Sequence, residues 1–302
     1  MTKPSAVVFA YHNVGVRCLS VLLAHDVEVR LVVTHPDNAQ ENIWFASVAA
    51  LAQAHGIPVI APASADDADL RARLAEAQAD FIFSFYYRHM LRADLLGLAR
   101  RGAYNMHGSL LPKYRGRVPV NWAVLKGERE TGASLHRMVA KPDAGALLAQ
   151  QAVPILPDDT ALEVFHKVTV AAELALNGVL PALLAGTAKE TPLDLAAGSY
   201  YGGRRPEDGR IDWRQDAASI HNLVRAVAPP YPGAFCILAD GRILRLLRTL
   251  HTHGAERSAR HAQPTLYRDG EQALIDCADG GVLRLLDWEG DWNGEPITLP
   301  AP

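Results

Sequence analysis

The chain has 302 residues, of which 49% are hydrophobic and 21% charged, and its formal net charge is −3. This balance is typical of a globular protein with ample apolar material for a core, and it excludes a disordered or low-complexity chain. The net negative charge also argues against a large polyanionic partner, because nucleic-acid-binding proteins usually carry a basic surplus or a basic face.

Strand and helix patterns alternate through the first hundred residues. Short apolar runs predict strands at 6–10, 27–33, 58–60 and 80–87. Apolar positions at helical spacing predict helices at 14–25, 42–55, 66–78 and 92–100. The alternation predicts an α/β fold with a parallel sheet that is covered on both faces. A nicotinamide-dinucleotide enzyme is disfavoured, because a single glycine, Gly15, follows the first strand where the GxGxxG fingerprint would stand.

Further helices and strands precede a change of pattern in the last third of the chain. A helix at 118–126, strands at 133–139 and 146–155, and a long helix at 160–184 come first, and we expect Pro181 to kink or end that helix. Residues 202–206 then mark a boundary, so we predict a catalytic domain over 1–203 and a C-terminal domain over 204–302. After a helix at 218–227, turn dipeptides separate short β-like runs, and they predict a small β-rich, barrel-like domain.

The cysteines and the apolar segments set further expectations. Cys18, Cys236 and Cys277 are an odd and widely spaced set, which does not predict a disulfide framework. No CxxC pair or histidine–cysteine cluster indicates zinc, so we expect no metal. The first residues lead directly into a strand-like run, and no apolar segment indicates a signal peptide or a membrane span. We therefore expect a cytoplasmic protein.

Three polar residues point to acyl-transfer chemistry. Asn105 and His107 are two residues apart, which in an extended segment puts both side chains on one face. An amide can stabilise a developing oxyanion, an imidazole can move a proton, and a carboxylate such as Asp143 can orient and tune that imidazole. The residues alone leave another interpretation open, in which the asparagine caps a turn and the histidine is a satisfied polar group.

The surrounding sequence resembles a known family. Asn105-Met106-His107-Gly108-Ser109-Leu110-Leu111-Pro112, followed by Thr131-Gly132 and Asp143-Ala144-Gly145, is similar to the motif of 10-formyltetrahydrofolate-dependent formyltransferases. The resemblance implies a Rossmann-like catalytic domain and an OB-like β-barrel C-terminal domain. It implies that Asn105, His107 and Asp143 are catalytic, with Asp143 raising the pKa of His107. No covalent intermediate is implied, so Ser109 is expected to be structural.

The resemblance also implies a folate site and an acceptor. The residues that would contact 10-formyltetrahydrofolate are His89, Met90, Leu91, Arg117, Val139, Ala140, Lys141, Pro142 and Asp143. Strings such as 83–89 (FSFYYRH) and 135–138 (LHRM) are similar to the ArnA-type branch of the family. That branch formylates UDP-4-amino-4-deoxy-L-arabinose for lipid A modification and polymyxin resistance. Its members carry a second, NAD-dependent decarboxylase module, which this chain lacks, so a stand-alone formyltransferase is expected.

Several alternatives stay open at this point. Methionyl-tRNA formyltransferase shares the chemistry, but residues 204–302 carry 12 Arg, no Lys and 14 acidic residues, a net charge of −2. Glycinamide ribonucleotide formyltransferase is a single and shorter domain, and a non-catalytic binding protein of the same fold would not need all three polar residues. Arg204, Arg205 and Arg225 could contact nucleotide phosphates or form structural pairs. The sequence leaves open whether the protein forms a homo-oligomer.

Overall fold

The structure is a computed structural model that describes residues 3–37, 42–65, 67–252 and 260–300. The chain divides into two compact units. The first contains residues up to Pro119 together with Thr131–Val153 and His166–Gly202, and the second contains Val120–Glu130, Pro154–Phe165 and the residues from Gly203 on.

The first unit is built on a seven-stranded sheet with the order β3-β2-β1-β4-β5-β7-β8. The first nine strands of the chain are β1 (Ser5–Ala10), β2 (Glu28–Val33), β3 (Val59–Ile60), β4 (Phe81–Phe85), β5 (Gly102–His107), β6 (Arg115–Gly116), β7 (Glu130–Arg137), β8 (Leu147–Pro154) and β9 (Tyr200–Tyr201). Strands β1 to β5 of this sheet are parallel, as predicted, whereas β7 pairs antiparallel with β5. β6 and β9 form a separate two-stranded parallel pair.

Seven α-helices accompany these strands in the described part of the chain. They are α1 (His12–Ala24), α2 (Val48–Ala54), α3 (Ala68–Ala77), α4 (Ala93–Leu96), α5 (Pro119–Leu125), α6 (Ala161–Ala185) and α7 (Ala217–Val227). α2 begins six residues later than predicted, because the Ser47 hydroxyl accepts a hydrogen bond from the Ala50 N–H at 3.2 Å and caps the helix there. Pro181, which we expected to kink or end α6, does not end it, since the helix continues to Ala185.

Strand β1 shows why this sheet is covered on both faces. All six of its residues are buried, and its sequence is a continuous run of small and apolar side chains. One face packs into an apolar cluster formed by Val7, Phe9, Leu31, Val33, Leu70, Leu74, Ile82, Tyr87, Leu91 and Leu95. This core fixes the strand ends from which the polar residues of the site project.

Helix α6 is the one described helix whose length and hydropathy would suit a membrane span. Its 25 residues include an 18-residue window of mean hydropathy 1.7, and 44% of that window is buried within the fold. The buried side chains recur at helical spacing, as in a helix that packs on a core. They are Val164, Val168, Ala171, Ala172, Leu176 and Leu180.

The second unit contains a six-stranded antiparallel sheet, which confirms the predicted β-rich C-terminal domain. Its order is β10-β11-β14-β13-β12-β15. The strands are β10 (Ala234–Ile237), β11 (Ile243–Thr252), β12 (Thr265–Asp269), β13 (Gln272–Asp276), β14 (Val282–Glu289) and β15 (Ile297–Thr298). The predicted turns at Asp240-Gly241, Asp269-Gly270 and Asp279-Gly280 all connect adjacent strands. Helix α7 and the fully buried Trp213 belong to the core of this unit.

Candidate functional site

Asn105 and His107 lie inside strand β5, near its end, and not in a loop that follows it. The antiparallel register with β7 places Asn105 opposite His136 and His107 opposite Ser134. Residues directly opposite each other in an antiparallel pair point to the same face of the sheet. Asn105, His107 and His136 therefore share one face, at the C-terminal edge of the parallel strands, where ligands of such sheets bind.

The hydrogen bonds of His107 identify the nitrogen that can accept a proton. Its side chain is buried, and Nε2 lies 2.7 Å from the carbonyl oxygen of Tyr114. A carbonyl oxygen can only accept, so Nε2 carries the hydrogen and the lone pair of the neutral ring is on Nδ1. Nδ1 lies 3.6 Å from Oδ1 of Asp143, and a proton taken up at Nδ1 is stabilised by that carboxylate.

Burial and the neighbouring carboxylate act on His107 in opposite directions. Burial lowers the pKa of His107, whereas Asp143 and the hydrogen bond to Tyr114 raise it. Burial has the larger effect, so the pKa of His107 lies below its ordinary value. Asp143 thus raises the pKa of His107, as expected from the sequence, but desolvation of a ring inside the core outweighs this effect. The ring is therefore neutral at pH 7.

Asp143 lies in the loop between β7 and β8 with a φ of 48°, a left-handed conformation that costs energy for a residue with a side chain. Its Oδ2 accepts a hydrogen bond from the Gly116 N–H at 2.9 Å, and its Oδ1 lies 3.4 Å from Nε2 of His136. Burial alone would raise the pKa of Asp143, but His107, His136 and the Gly116 N–H together lower it below its usual range. The carboxylate is therefore ionised at neutral pH.

The amide of Asn105 completes this set of polar groups. Its Nδ2 lies 3.2 Å from Nε2 of His136 and 3.4 Å from Oδ1 of Asp143. Both neighbours accept hydrogen bonds, so the nitrogen of the amide faces them and Oδ1 points elsewhere. The structure thus brings Asn105, His107 and Asp143 together in the first unit.

The loop that follows β5 is held by side chains of the neighbouring strands. Ser134 donates to the Ser109 carbonyl oxygen at 2.6 Å and accepts from the Leu111 N–H at 3.1 Å. The Ser109 hydroxyl donates to the Lys113 carbonyl oxygen at 2.7 Å, which agrees with its expected structural role. Gly108 leaves room for the Tyr86 side chain, because a Cβ at this position would overlap the Tyr86 hydroxyl.

The residues predicted to contact folate fall into two groups. Met90, Leu91 and Ala140 line one hollow of about 480 Å³ in the first unit, together with Arg92, Ala93 and Asp94. Met90 is 59% exposed, so its side chain is open to solvent at this hollow. The other candidates do not line this hollow in the part of the chain that the structure describes, and they are His89, Arg117, Val139, Lys141, Pro142 and Asp143.

Arg204 and Arg225, two of the three arginines considered for phosphate binding, form hydrogen bonds within the second unit. Arg204 donates to Oδ1 of Asn121 at 2.7 Å and to the Asp208 carbonyl oxygen at 2.9 Å. The buried Arg225 donates to the Asp159 carbonyl oxygen at 3.0 Å. These contacts favour the structural alternative for Arg204 and Arg225.

Sequence reasoning missed three groups that touch the site. His136 was recognised as part of the LHRM string but was given no role, and its position opposite Asn105 depends on a register that the sequence does not show. The Tyr114 carbonyl and the Gly116 N–H are backbone groups, which leave no signal in side-chain patterns. Among the described residues, no group of three His, Cys, Asp or Glu side chains could hold a metal ion.

Comparisons with known proteins identify the family of this chain. The family model described as formyl transferase matches residues 19–180, and the model of the formyl transferase C-terminal domain matches residues 204–290. The structure is similar to an N-formyltransferase from Helicobacter canadensis in complex with folinic acid and dTDP-3-aminofucose, with 19% identity, a TM-score of 0.71, and coverage of 94% of this chain and 99% of that chain.

Two further solved structures share the fold. WlaRD, a sugar 3N-formyl transferase solved in the presence of dTDP and 5-N-formyl-THF, has 18% identity and a TM-score of 0.72 over 94% of this chain and 98% of that one. HypX from Aquifex aeolicus in complex with tetrahydrofolic acid has 20% identity and a TM-score of 0.64, over 98% of this chain and 45% of that one.

Proposed function

Since the chain belongs to the formyl transferase family and is a formyl-transferring enzyme, we propose that it moves the formyl group of 10-formyltetrahydrofolate to the amine of a nucleotide-linked amino sugar. The observation that carries the proposal is the arrangement of Asn105, His107 and Asp143, with a neutral imidazole whose free nitrogen faces an ionised carboxylate. This arrangement suits transfer of an acyl group between two nitrogens.

Each of the three side chains has a distinct task in the proposed reaction. The amine nitrogen of the acceptor forms a bond to the formyl carbon, and the bond from that carbon to N10 of the folate breaks. The proton released by the amine goes to Nδ1 of His107, and the imidazolium that forms is stabilised by Asp143 at 3.6 Å. His107 can then return the proton to the folate nitrogen. The charge that develops on the formyl oxygen accepts a hydrogen bond from Nδ2 of Asn105.

The chemical character of this hollow suits a folate. Met90, Leu91 and Ala140 offer an apolar surface to a flat ring, and the backbone of the same loops offers donors and acceptors to its polar edge. We propose that these three residues hold the pterin, with His89, Arg117 and the segment 139–143 completing the site.

The acceptor we propose is UDP-4-amino-4-deoxy-L-arabinose, in a reaction of lipid A modification and polymyxin resistance. The ArnA-type strings at 83–89 and 135–138 support this choice. The absence of lysine and the net charge of −2 over residues 204–302 argue against a tRNA acceptor, which requires cationic contacts to its phosphates. Two of the solved structures with this fold were determined with dTDP or a dTDP-linked amino sugar, which supports a nucleotide-sugar acceptor.

The experiment that tests this proposal is a formyl-transfer assay with 10-formyltetrahydrofolate and UDP-4-amino-4-deoxy-L-arabinose, in which the product is followed by mass. We expect formylated sugar with the wild-type chain and a strong loss with His107→Ala. If the wild-type chain produces no formylated sugar while it formylates another amine, the proposed acceptor is wrong.

A further inference from the structure

His136 is a fully buried polar residue that the mechanism above does not use. Its relative exposure is 2%, and it lies on β7 directly opposite Asn105. A histidine removed from water in this way needs partners for both ring nitrogens. The ionisable groups that face it are Asp143 and His107.

The hydrogen bonds of His136 determine its tautomer. Nδ1 lies 2.9 Å from the carbonyl oxygen of Arg137, which can only accept, so Nδ1 carries the hydrogen. In the neutral ring Nε2 then has the lone pair, and this atom lies 3.2 Å from Nδ2 of Asn105. Asn105 therefore donates to His136. His107 has the opposite tautomer, because its Nε2 donates to the Tyr114 carbonyl oxygen.

The orientation of the Asn105 amide depends on this bond together with the hydrogen bond from Nδ2 to Oδ1 of Asp143. If the amide were flipped, its oxygen would face Nε2 of His136 and Oδ1 of Asp143, and three acceptors would meet without a hydrogen between them. In the observed orientation, Nε2 and Oδ1 lie 3.4 Å apart and can share one amide hydrogen. The second hydrogen of the same nitrogen is then directed away from them.

We infer that His136 is a positioning residue of the formyl-transfer reaction, which holds the Asn105 amide with one N–H available to the formyl oxygen. The inference rests on the proposed function, because the formyl oxygen is the group that this N–H serves. A flipped amide would present an oxygen to the developing negative charge and would oppose the reaction. His136 thus acts through Asn105 and does not itself touch the reacting atoms.

The first test does not depend on activity. Nitrogen-15 NMR of the histidine-labelled full chain at pH 7.5 reports the tautomer of each ring, with His136→Gln and His107→Gln spectra for assignment. We expect His136 as the Nδ1–H tautomer and His107 as the Nε2–H tautomer. A His136 ring with its hydrogen on Nε2 would overturn the inference, whatever the acceptor of the enzyme is.

The second test compares two variants of His136. In His136→Gln the amide oxygen takes the place of Nε2 and can accept from Asn105, whereas His136→Leu has no acceptor. We expect kcat to fall about 10²-fold in His136→Leu and less than about tenfold in His136→Gln, with the KM for the folate changed little in both. Thermal unfolding of both variants serves as the control for folding. An equal loss in the two variants at equal stability would contradict the inference.

The third test is a double-mutant cycle with Asn105→Ala. If His136 acts through Asn105, adding His136→Leu to Asn105→Ala costs little further activity, within about threefold. If the activity loss of the double variant equals the product of the losses in the two single variants, His136 acts independently of Asn105 and the inference is overturned. The activity of each variant is compared with wild-type turnover. If the wild type does not turn over the amino sugar, the proposed function fails, and this outcome is distinct from failure of the inference about His136.

Discussion

At the scale of single residues, Asp143 is the group on which the other polar side chains converge. Its Oδ1 faces His107, His136 and Asn105, and its Oδ2 accepts from the Gly116 N–H. The residue has a left-handed backbone conformation, a form of strain that is found at functional sites. These contacts keep the carboxylate ionised inside the fold and next to the imidazole that we propose as the proton-transfer group.

The first prediction concerns the imidazole of His107. His107→Asn removes the proton acceptor from a buried site, and we expect kcat/KM for formyl transfer to fall by about 10²- to 10⁴-fold. Steady-state kinetics with varied acceptor measures the loss. The exposed His55 provides the matched control, because His55→Asn removes an imidazole that lies on the surface, directly after the end of helix α2. Activity of His107→Asn within threefold of wild type would exclude His107 from the mechanism.

The second prediction concerns the pH dependence of activity. His107 must be neutral to accept a proton, and burial lowers its pKa below the ordinary value of about 6.5. We therefore expect kcat/KM to stay level from pH 7.5 down to about 6.5 and to fall only below the ordinary histidine pKa. A pH–rate profile with a stable acceptor measures this limb. After correction for protonation of the acceptor amine, a loss of activity that begins well above pH 6.5 would show that the net effect on His107 is a raised pKa.

At the scale of elements, the site depends on the close packing of strand β7 and the loop that carries Asp143. Gly145 lies against Arg137, and a Cβ at this position would overlap the Arg137 backbone oxygen. Backbone cannot move aside as a flexible side chain can. Gly145, two residues after Asp143, is therefore required because two backbone segments approach each other closely here.

A glycine pair tests this requirement. We expect Gly145→Ala to destabilise the protein by about 1–3 kcal/mol, as overpacking does, and to reduce activity at least tenfold by displacing Asp143. The matched variant Gly178→Ala lies in α6, where nothing apart from the adjacent backbone of the helix stands within 4 Å of the added Cβ. It should raise stability by about 0.5–1 kcal/mol and leave activity unchanged. Thermal unfolding and kinetics of both variants measure the difference, and equal effects would contradict the close approach.

Much of the order of strands and helices could be predicted from the sequence, because strands buried on both faces have continuous apolar sequences. β1 and β4 are examples, and the motif around Asn105 pointed to the site directly. Strand register was not predictable, since pairing of β5 with β7 joins segments about thirty residues apart, and His136 therefore had no assigned role. The sequence predicted that α2 would begin at residue 42, but the helix begins at Val48 because the Ser47 side chain caps it there.

At the scale of the whole molecule, each unit buries a histidine in the neutral state. His107 lies in the first unit and His221 in the second, and burial lowers the pKa of both. Both rings take up a proton readily once unfolded, at pH values below about 6.5. Asp143 has a lowered pKa and adds a similar dependence at lower pH, because its stabilising effect is lost when the carboxylate is protonated.

The fourth prediction follows from the sign of these shifts. A lowered pKa in the folded state means that the unfolded chain binds more protons, so acid favours unfolding. We expect the Tm to be level above about pH 7, to decline as the pH falls below about 6.5, and to decline further below about pH 4. Calorimetric scans across this range measure it, and His221→Gln should show a shallower decline between pH 6.5 and 5. A Tm that rises over that interval would contradict the neutral state of the buried imidazoles.

The most direct test of the account is a competition between acceptors in a single reaction. UDP-4-amino-4-deoxy-L-arabinose, a dTDP-linked amino sugar and initiator methionyl-tRNA at equal concentrations compete for 10-formyltetrahydrofolate, and the ratio of formylated products gives the ratio of kcat/KM values. We expect the UDP-linked sugar to be formylated at least 10²-fold in preference to the tRNA and at least tenfold in preference to the dTDP-linked sugar. Predominant formylation of the methionyl-tRNA would contradict the proposal that the enzyme acts on nucleotide-linked amino sugars.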